Sequence, residues 1–209
     1  MPVVNLLIDI GNSNCKVAYC KGGELGEIHR SSCEDILSYI LTLIGDTELD
    51  VIVLSTVRED NLHMQQVLER KCRKLVTMHS EMDLPVHFST GFPRKGLGVD
   101  RLAAALAVSM LFPGEDCIKF DFGTALTVDF ISGNGVFQGG NISLGMTSRF
   151  KALNTFTKRL PLIEPGSNIN DFGRKTAEAM ESGVVLGMIF EVEGYMNKYP
   201  AHKVVFTGG

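Results

Sequence analysis

The first half of the chain alternates between strand-like and helix-like patterns of hydrophobic and polar residues. Apolar or alternating runs predict strands over residues 6–10, 16–20, 24–30, 51–55 and 75–78. Helical periodicity predicts one helix over 33–44, capped by Ser31 or Ser32, and a second over 60–74. Strands that alternate with helices are typical of an α/β protein.

Residues 81–98 interrupt this pattern with closely spaced glycine and proline, which predicts a long loop at the rim of a binding site. An alanine-rich helix is predicted over 101–111, and Pro113-Gly114 closes it. Strands over 127–131, 136–137 and 203–207 and a helix over 176–197 follow. We therefore expect two lobes, 1–113 and 114–209.

A repeat relates the two lobes. The segment from Leu6 to Asn14 recurs in altered form from Ile118 to Leu126, and its Asp9 and Gly11 are displaced by the same number of residues to Asp121 and Gly123. A single Asp-x-Gly after a strand is often just a turn. Glycine lets the backbone approach phosphate, and the acid can hold a cation or a water, so two copies predict a nucleotide clamped between two lobes.

Composition narrows the class of protein. The chain has 209 residues, is 44% hydrophobic and carries a net charge of −4, which is ordinary for a globular protein and disfavours nucleic acid as a partner. Its five cysteines form no C-x-x-C pair, and its histidines show no zinc-site spacing. No apolar run has the length of a signal peptide or membrane span, so we expect a cytoplasmic protein that does not enter membranes.

The loop at 81–98 ends in Gly98-Val99-Asp100-Arg101, which has two interpretations. In the structural one, Asp100 caps the helix and Arg101 is solvated. In the functional one, Asp100 accepts a proton from an attacking hydroxyl and Arg101 binds a substrate carboxylate. The residues alone leave both open.

Three further glycine patterns are ambiguous. The segment from Gly139 to Gly145 is interpreted as a glycine-rich turn, either a bend or a contact with the acceptor substrate. Gly208-Gly209 follows an apolar strand and is either a chance terminus or the start of a nucleoside-binding turn. Gly183 and Gly187 allow close approach of another helix, within the fold or between subunits.

Four motifs together resemble type III pantothenate kinases: Asp9-x-Gly11-Asn12-Ser13, Gly98-x-Asp100-Arg101, Asp121-x-Gly123-Thr124-Ala125-x-Thr127-x-Asp129, and Gly139-Gly140-x-Ile142. The resemblance covers essentially the whole chain. It implies the duplicated actin-like, ribonuclease H-like fold with a nucleotide cleft between the lobes. It also implies transfer of the ATP γ-phosphate to pantothenate, the first step of coenzyme A synthesis, by a homodimer that uses Mg²⁺ and a monovalent cation (K⁺ or NH₄⁺).

The same resemblance implies a role for each motif. Asp100 would be the general base, while Gly98, Val99 and Arg101 would hold pantothenate. Asp121 would bind the monovalent cation, and Thr176, otherwise a typical helix cap, would contact pantothenate across a dimer interface. Thr124 would contact ATP. The first phosphate loop would have Asp9 near magnesium and would consist of Asp9, Ile10, Gly11, Asn12, Ser13, Asn14, Cys15 and Lys16.

The chain departs from the family pattern at several positions. Ser13 replaces a threonine, Leu144 replaces a proline, and a tyrosine of the substrate rim has no counterpart near Phe92. Family members continue past the Thr207-Gly208-Gly209 strand, so we expect the second lobe to lack a final segment here.

Two alternatives remain from the sequence. One is a non-catalytic regulatory protein on the same fold, since the family has relatives that act as accessory factors of transcription. The other is a phosphohydrolase, or a kinase for another small hydroxy acid, because phosphate-handling lobes do not identify the acceptor.

Overall fold

The computed structural model describes residues 4–11, 14–32, 34–57, 62–166 and 169–208. The chain divides into two compact units, unit 1 with Met1–Leu84 and Pro93–Ala104, and unit 2 with Pro85–Phe92 and Ala105–Gly209. Within the described residues, no helix is both long and apolar enough to cross a membrane. The lobe boundary after residue 113 stays a prediction.

Unit 1 contains a five-stranded sheet with the strand order β3-β2-β1-β4-β5. Its strands are β1 (Val4–Ile10), β2 (Cys15–Lys21), β3 (Glu24–Ser31), β4 (Leu49–Thr56) and β5 (Cys72–Thr77). Two helices, α1 (Ile36–Ile44) and α2 (Leu62–Glu69), connect the strands around β4.

The core of unit 1 follows from the two side-chain periodicities. Alternate residues of β1, Leu6, Ile8 and Ile10, point to one face of the sheet, where they join the i, i+4 row of α1 that begins at Ile36 and Ile40. These side chains are at most 4% exposed. The opposite face of β1 therefore carries Asp9.

Unit 2 contains a second five-stranded sheet, ordered β10-β7-β8-β9-β6. Its strands are β6 (His87–Phe88), β7 (Cys117–Phe122), β8 (Ala125–Ile131), β9 (Val136–Leu144) and β10 (Lys203–Gly208). The remaining helices are α3 (Val99–Leu111), which begins in unit 1 and continues in unit 2, α4 (Met146–Phe156) and α5 (Thr176–Lys198).

One face of this sheet packs on α5. Ile118 and Phe120 of β7 and Val128 of β8 lie against Met188 and Val192 of the helix. Because side chains alternate across a strand, the opposite face carries Lys119, Asp121, Thr127 and Asp129. This opposite face is the polar one.

The two sheets repeat one pairing scheme. β1 pairs antiparallel with β2 and parallel with β4, while β7 pairs antiparallel with β8 and parallel with β10. In each sheet a further antiparallel strand, β3 or β9, follows in the hairpin series. The predicted duplicated α/β fold of the actin type is confirmed, and both Asp-x-Gly segments lie in hairpins between equivalent strands.

Three local predictions were wrong, and one helix was missed. Asp35 caps α1, accepting a hydrogen bond from Ser38 N at 2.9 Å, so Ser31 and Ser32 do not. The predicted helix over 60–74 ends at Glu69, and its last residues belong to β5. Most of the glycine-rich segment 139–145 is strand β9, with a register shift beside Gly139, whose φ is 121°. Helix α4 was not predicted.

Candidate active site

The first aspartate turn is anchored at its strand end. Asp9 lies opposite Lys16 on β2 and opposite Ser55 on β4. The Ser55 hydroxyl donates to Asp9 Oδ1 at 3.2 Å, and Ser55 is 7% exposed. Gly11 N donates to Asn14 O at 3.0 Å and closes the turn. The carboxylate is thus held at the mouth of the hairpin.

Of the other predicted phosphate-loop residues, Asn14 is exposed and Lys16 is half-buried on β2. Ile10 and Cys15 point into the core of unit 1, at 1% and 0% exposure, so a ligand at this turn could meet their backbone but not their side chains. Asn12 and Ser13 lie outside the described residues. The loop therefore offers backbone groups and the Asp9 carboxylate, which suits phosphate and a hard cation.

The second turn has the same form and is braced by α4. Gly123 N donates to Ala125 O at 3.1 Å. The Thr124 carbonyl accepts from Gly145 N at 3.0 Å and from the Ser148 hydroxyl at 2.7 Å. Two donors from the start of one helix therefore fix the peptide that carries Thr124.

Two glycines border this turn at very short range. A Cβ at Gly145 would overlap Gly123 O and lie 2.8 Å from Thr124 O. Gly208 has a φ of 98°, and a Cβ there would lie 2.5 Å from Phe122 N and 2.7 Å from Asp121 Oδ1. Gly208 therefore brings the backbone of β10 close to the Asp121 carboxylate.

A buried lysine lies beneath the second turn. Lys119 Nζ is 2.9 Å from Asp129 Oδ2, 3.3 Å from Thr127 Oγ1 and 3.6 Å from Asp121 Oδ2. The side chains of Lys119 and Asp129 are each 1% exposed, whereas that of Asp121 is 30% exposed. The hairpin register explains the cluster, because Lys119 pairs with Asp129 and Asp121 pairs with Thr127.

The Gly98–Arg101 segment begins α3. Leu102 N donates to Gly98 O at 3.0 Å, so Gly98 takes the N-cap position that the structural interpretation gave to Asp100. The Asp100 side chain folds back over Gly98, where a methyl group would overlap its Oδ1. Asp100 is exposed and Arg101 is half-buried. Asp100 and Arg101 are therefore consecutive residues in the first turn of α3.

A groove of about 840 Å³ runs between α4 and α5 within unit 2. Thr176 lies on its lining at the first position of α5, with Lys175 before it as the cap. Phe156, which is 86% exposed, and Gly183 also line the groove. At Gly183 a Cβ would meet nothing within 4 Å, so no neighbour within the described fold requires glycine there.

One ion pair joins the two walls of this groove. Arg149 of α4 bonds Glu191 of α5, and Ser143 Oγ donates to Glu191 Oε1 at 2.7 Å. Arg149 Nε also donates to Leu144 O at 2.7 Å. The pair thus links the end of β9, α4 and α5.

Comparison with known proteins identifies the family. The family model for type III pantothenate kinase matches residues 5–198. The chain belongs to the type III pantothenate kinase family. A type III pantothenate kinase of Phocaeicola vulgatus is 40% identical over 99% of this chain and 86% of its own length. One from Porphyromonas gingivalis is 33% identical over 98% of this chain and 86% of its own.

A solved structure is similar over the same span. It is a conserved protein from Campylobacter jejuni described as belonging to the Baf family of transcriptional activators, at 25% identity and a TM-score of 0.65. The match covers 98% of this chain and 83% of that one. The two chains therefore share one fold.

The kinase residues predicted from sequence fall into both units. Unit 1 holds Asp9 and the Gly98–Arg101 segment, and unit 2 holds Asp121, Thr124 and Thr176. Sequence reasoning missed Ser55, Lys119 and the steric role of Gly145. A signal for Lys119 was present, since it is a charge in the middle of the apolar strand that leads to Asp121.

Proposed function

We propose that this protein transfers the γ-phosphate of ATP to the primary hydroxyl of pantothenate and so carries out the first step of coenzyme A synthesis. The observation that carries the proposal is the duplicated aspartate turn. In each copy an aspartate near a strand end faces a hydroxyl residue on the parallel neighbour, Ser55 for Asp9 and Thr207 for Asp121. Membership of the pantothenate kinase family supplies the acceptor.

The donor side uses the two turns. The backbone of the Asp9–Lys16 loop and Thr124 would bind the phosphates of ATP, since short turns present N–H groups to phosphate oxygens. Asp9 fits magnesium, because a carboxylate oxygen is a ligand this hard cation prefers. Magnesium, when bound, neutralises charge on the phosphate oxygens during transfer.

The acceptor side uses the start of α3. Arg101 would bind the pantothenate carboxylate through its planar fork, beside Gly98 and Val99. Asp100 would accept the proton of the hydroxyl as its oxygen forms a bond to the γ-phosphorus. The bond from that phosphorus to the β-phosphate oxygen breaks, and ADP leaves with the electron pair. Asp100 suits this role because its carboxylate is exposed and Gly98 occupies the cap position.

The monovalent cation implied at Asp121 does not fit this chain. The Lys119 ammonium already lies 3.6 Å from Asp121 Oδ2. This ammonium occupies the Oδ2 side of the carboxylate, where it would repel a monovalent cation. No step is therefore assigned to such an ion.

The homodimer is the second part of the proposal. The α4–α5 groove would receive a second copy of the chain, so that Thr176 on its lining contacts pantothenate bound to the partner. The exposed Phe156 on its lining, the exposed Ile189 and Phe190 on α5, and the open surface at Gly183 support this. Light scattering after size exclusion tests it: Phe156→Glu should give monomers, while Leu25→Glu, an exposed leucine of unit 1, should not. Unchanged mass for Phe156→Glu would remove the groove from the interface.

A cytoplasmic location is also proposed. The described cysteines Cys15, Cys20, Cys72 and Cys117 are free thiols, as is usual in a reducing compartment. Burial raises the pKa of the Cys72 and Cys117 thiols, which keeps them protonated near neutral pH.

A coupled ADP-release assay with ATP and magnesium, with and without pantothenate, tests the activity. Asp100→Asn should remove turnover while ATP still binds, because the amide cannot accept the proton. The matched control is Asp46→Asn, an exposed aspartate in the same unit, which should keep wild-type turnover. Full turnover in Asp100→Asn would exclude it as the base.

The other outcomes of the assay separate the alternatives. ADP release at the same rate with and without pantothenate would indicate hydrolysis or another acceptor. No release in wild-type protein that binds ATP would favour a regulatory protein on the kinase fold.

A further inference from the structure

The polar face of the β7–β8 hairpin contains one cation and two carboxylates. Lys119 lies between Asp129 at 2.9 Å and Asp121 at 3.6 Å. With Thr127 Oγ1 at 3.3 Å, three oxygen atoms surround Nζ. The oxygens of Asp129 and Thr127 lie within hydrogen-bonding distance of the ammonium, whereas Asp121 Oδ2 lies only within ion-pair distance.

The two carboxylates differ in burial, and so in how much each depends on the positive charge of Lys119. Asp129 is buried, and a buried carboxylate requires a nearby opposite charge. Asp121 is 30% exposed and stands at the end of β7, where its turn begins. Lys119 therefore connects a structural partner inside the sheet to a functional carboxylate at its edge.

Both oxygens of Asp121 have a fixed neighbour. Oδ2 faces the Lys119 ammonium, and Oδ1 lies beside Gly208, where an added Cβ would be 2.7 Å away. The carboxylate is thus oriented by the fold itself. A positive charge stands within ion-pair distance of it whatever salt is present.

We propose that Lys119 is a built-in counterion of Asp121 that replaces the monovalent cation, so that this kinase works without potassium. The role is one of positioning and charge compensation, since Lys119 acts through Asp121. This inference rests on the proposed kinase function only in its activity test. Ion binding can be measured separately.

The first experiment uses wild-type protein. Pantothenate-dependent ADP release is measured with the Tris salt of ATP and magnesium chloride, in potassium chloride or in choline chloride at equal ionic strength. We expect rates within about twofold of each other, which corresponds to less than about 0.5 kcal/mol. A tenfold or greater loss in choline would overturn the proposal.

A second readout does not depend on activity. Crystals soaked in thallium(I) acetate, with and without a non-hydrolysable ATP analogue, are examined for anomalous scattering. We expect no thallium peak within bonding distance of Asp121. A peak there would overturn the proposal even if turnover were indifferent to potassium.

The variant arm tests Lys119 itself. Lys119→Met/Asp129→Asn removes the ammonium together with the buried charge that needs it, which protects the fold. Turnover of this variant should fall at least tenfold in choline and recover in potassium, because the ion can then enter beside Asp121. If the turnover of this variant is the same in choline and in potassium, Lys119 does not compensate the charge of Asp121.

Failure of the kinase proposal would look different. Pantothenate-dependent ADP release would then be missing in both salts for the wild-type protein. The thallium result would still decide whether a monovalent ion binds beside Asp121.

Discussion

Replacing Lys119 with methionine should destabilise the protein strongly. The change leaves Asp129, which is 1% exposed, without the ammonium that lies 2.9 Å away. Removing one partner of a buried ion pair costs about 3–5 kcal/mol. At about 2–4 °C per kcal/mol for a chain of this size, the thermal midpoint should fall by about 6–20 °C.

The cluster also predicts an asymmetry between the two partners. Asp129→Asn should cost less than Lys119→Met, because the ammonium keeps Asp121 as a second carboxylate at 3.6 Å. The double variant Lys119→Met/Asp129→Asn removes both charges and should recover most of the loss. Scanning calorimetry of the four proteins measures the coupling.

Lys203→Met is the matched control, since Lys203 lies in the same unit and pairs with Glu115 at 2.7 Å but is 36% exposed. An exposed pair contributes about 0–1 kcal/mol, so its midpoint should shift by a few degrees at most. If Lys119→Met is no less stable than this control, the buried ion pair does not stabilise the fold. If the double variant is as unstable as Lys119→Met alone, the unpaired charge of Asp129 is not the cause of the loss.

Three further substitutions follow from the site. Arg101→Ala should raise the KM for pantothenate about tenfold or more, the equivalent of one charge-assisted hydrogen bond, with little change in the KM for ATP; equal effects on both would contradict the carboxylate role. Gly145→Ala should raise the KM for ATP, because a methyl group would overlap Gly123 O and shift the Thr124 turn; wild-type nucleotide affinity by calorimetry would contradict this. Gly98→Ala should lower kcat, because the added methyl group would displace the Asp100 carboxylate. Its control is Gly194→Ala, where a Cβ meets nothing within 4 Å. Equal kcat in both variants would show that the close contact between Gly98 and Asp100 is not needed.

The strands were largely predictable because their signals are local. The apolar runs of β1, β4 and β10 were located to within a few residues, and the repeated Asp-x-Gly identified both hairpins. The sequence-based predictions of secondary structure failed where contacts with another part of the fold determine the structure of the segment. After Glu69 the helical pattern continues, but Cys72–Thr77 pairs with β4 and becomes a strand.

Helix α4 and the lysine cluster show two further limits. Gly145 precedes α4 without a side-chain cap, so the start signal that reveals most helices is missing. Lys119 and Asp129 come together through the hairpin register, which fixes a cross-strand pair that neither residue indicates alone. The sequence marks residues 98–101 as one segment, but the acceptor roles given to them come from the family resemblance and stay a prediction.

Helix α4 contacts both the turn that we propose binds nucleotide and the α4–α5 groove. Its first turn holds the Thr124 peptide through Ser148, and Ala152, Leu153 and Phe156 further along the helix line the groove. The helix has 11 residues, so both contacts lie on one short rigid body. By thermodynamic linkage, any factor by which a partner in the proposed groove changes the affinity for nucleotide equals the factor by which nucleotide changes the affinity for the partner. If the partner strengthens nucleotide binding, diluting the protein would weaken nucleotide binding without any change in the nucleotide site itself.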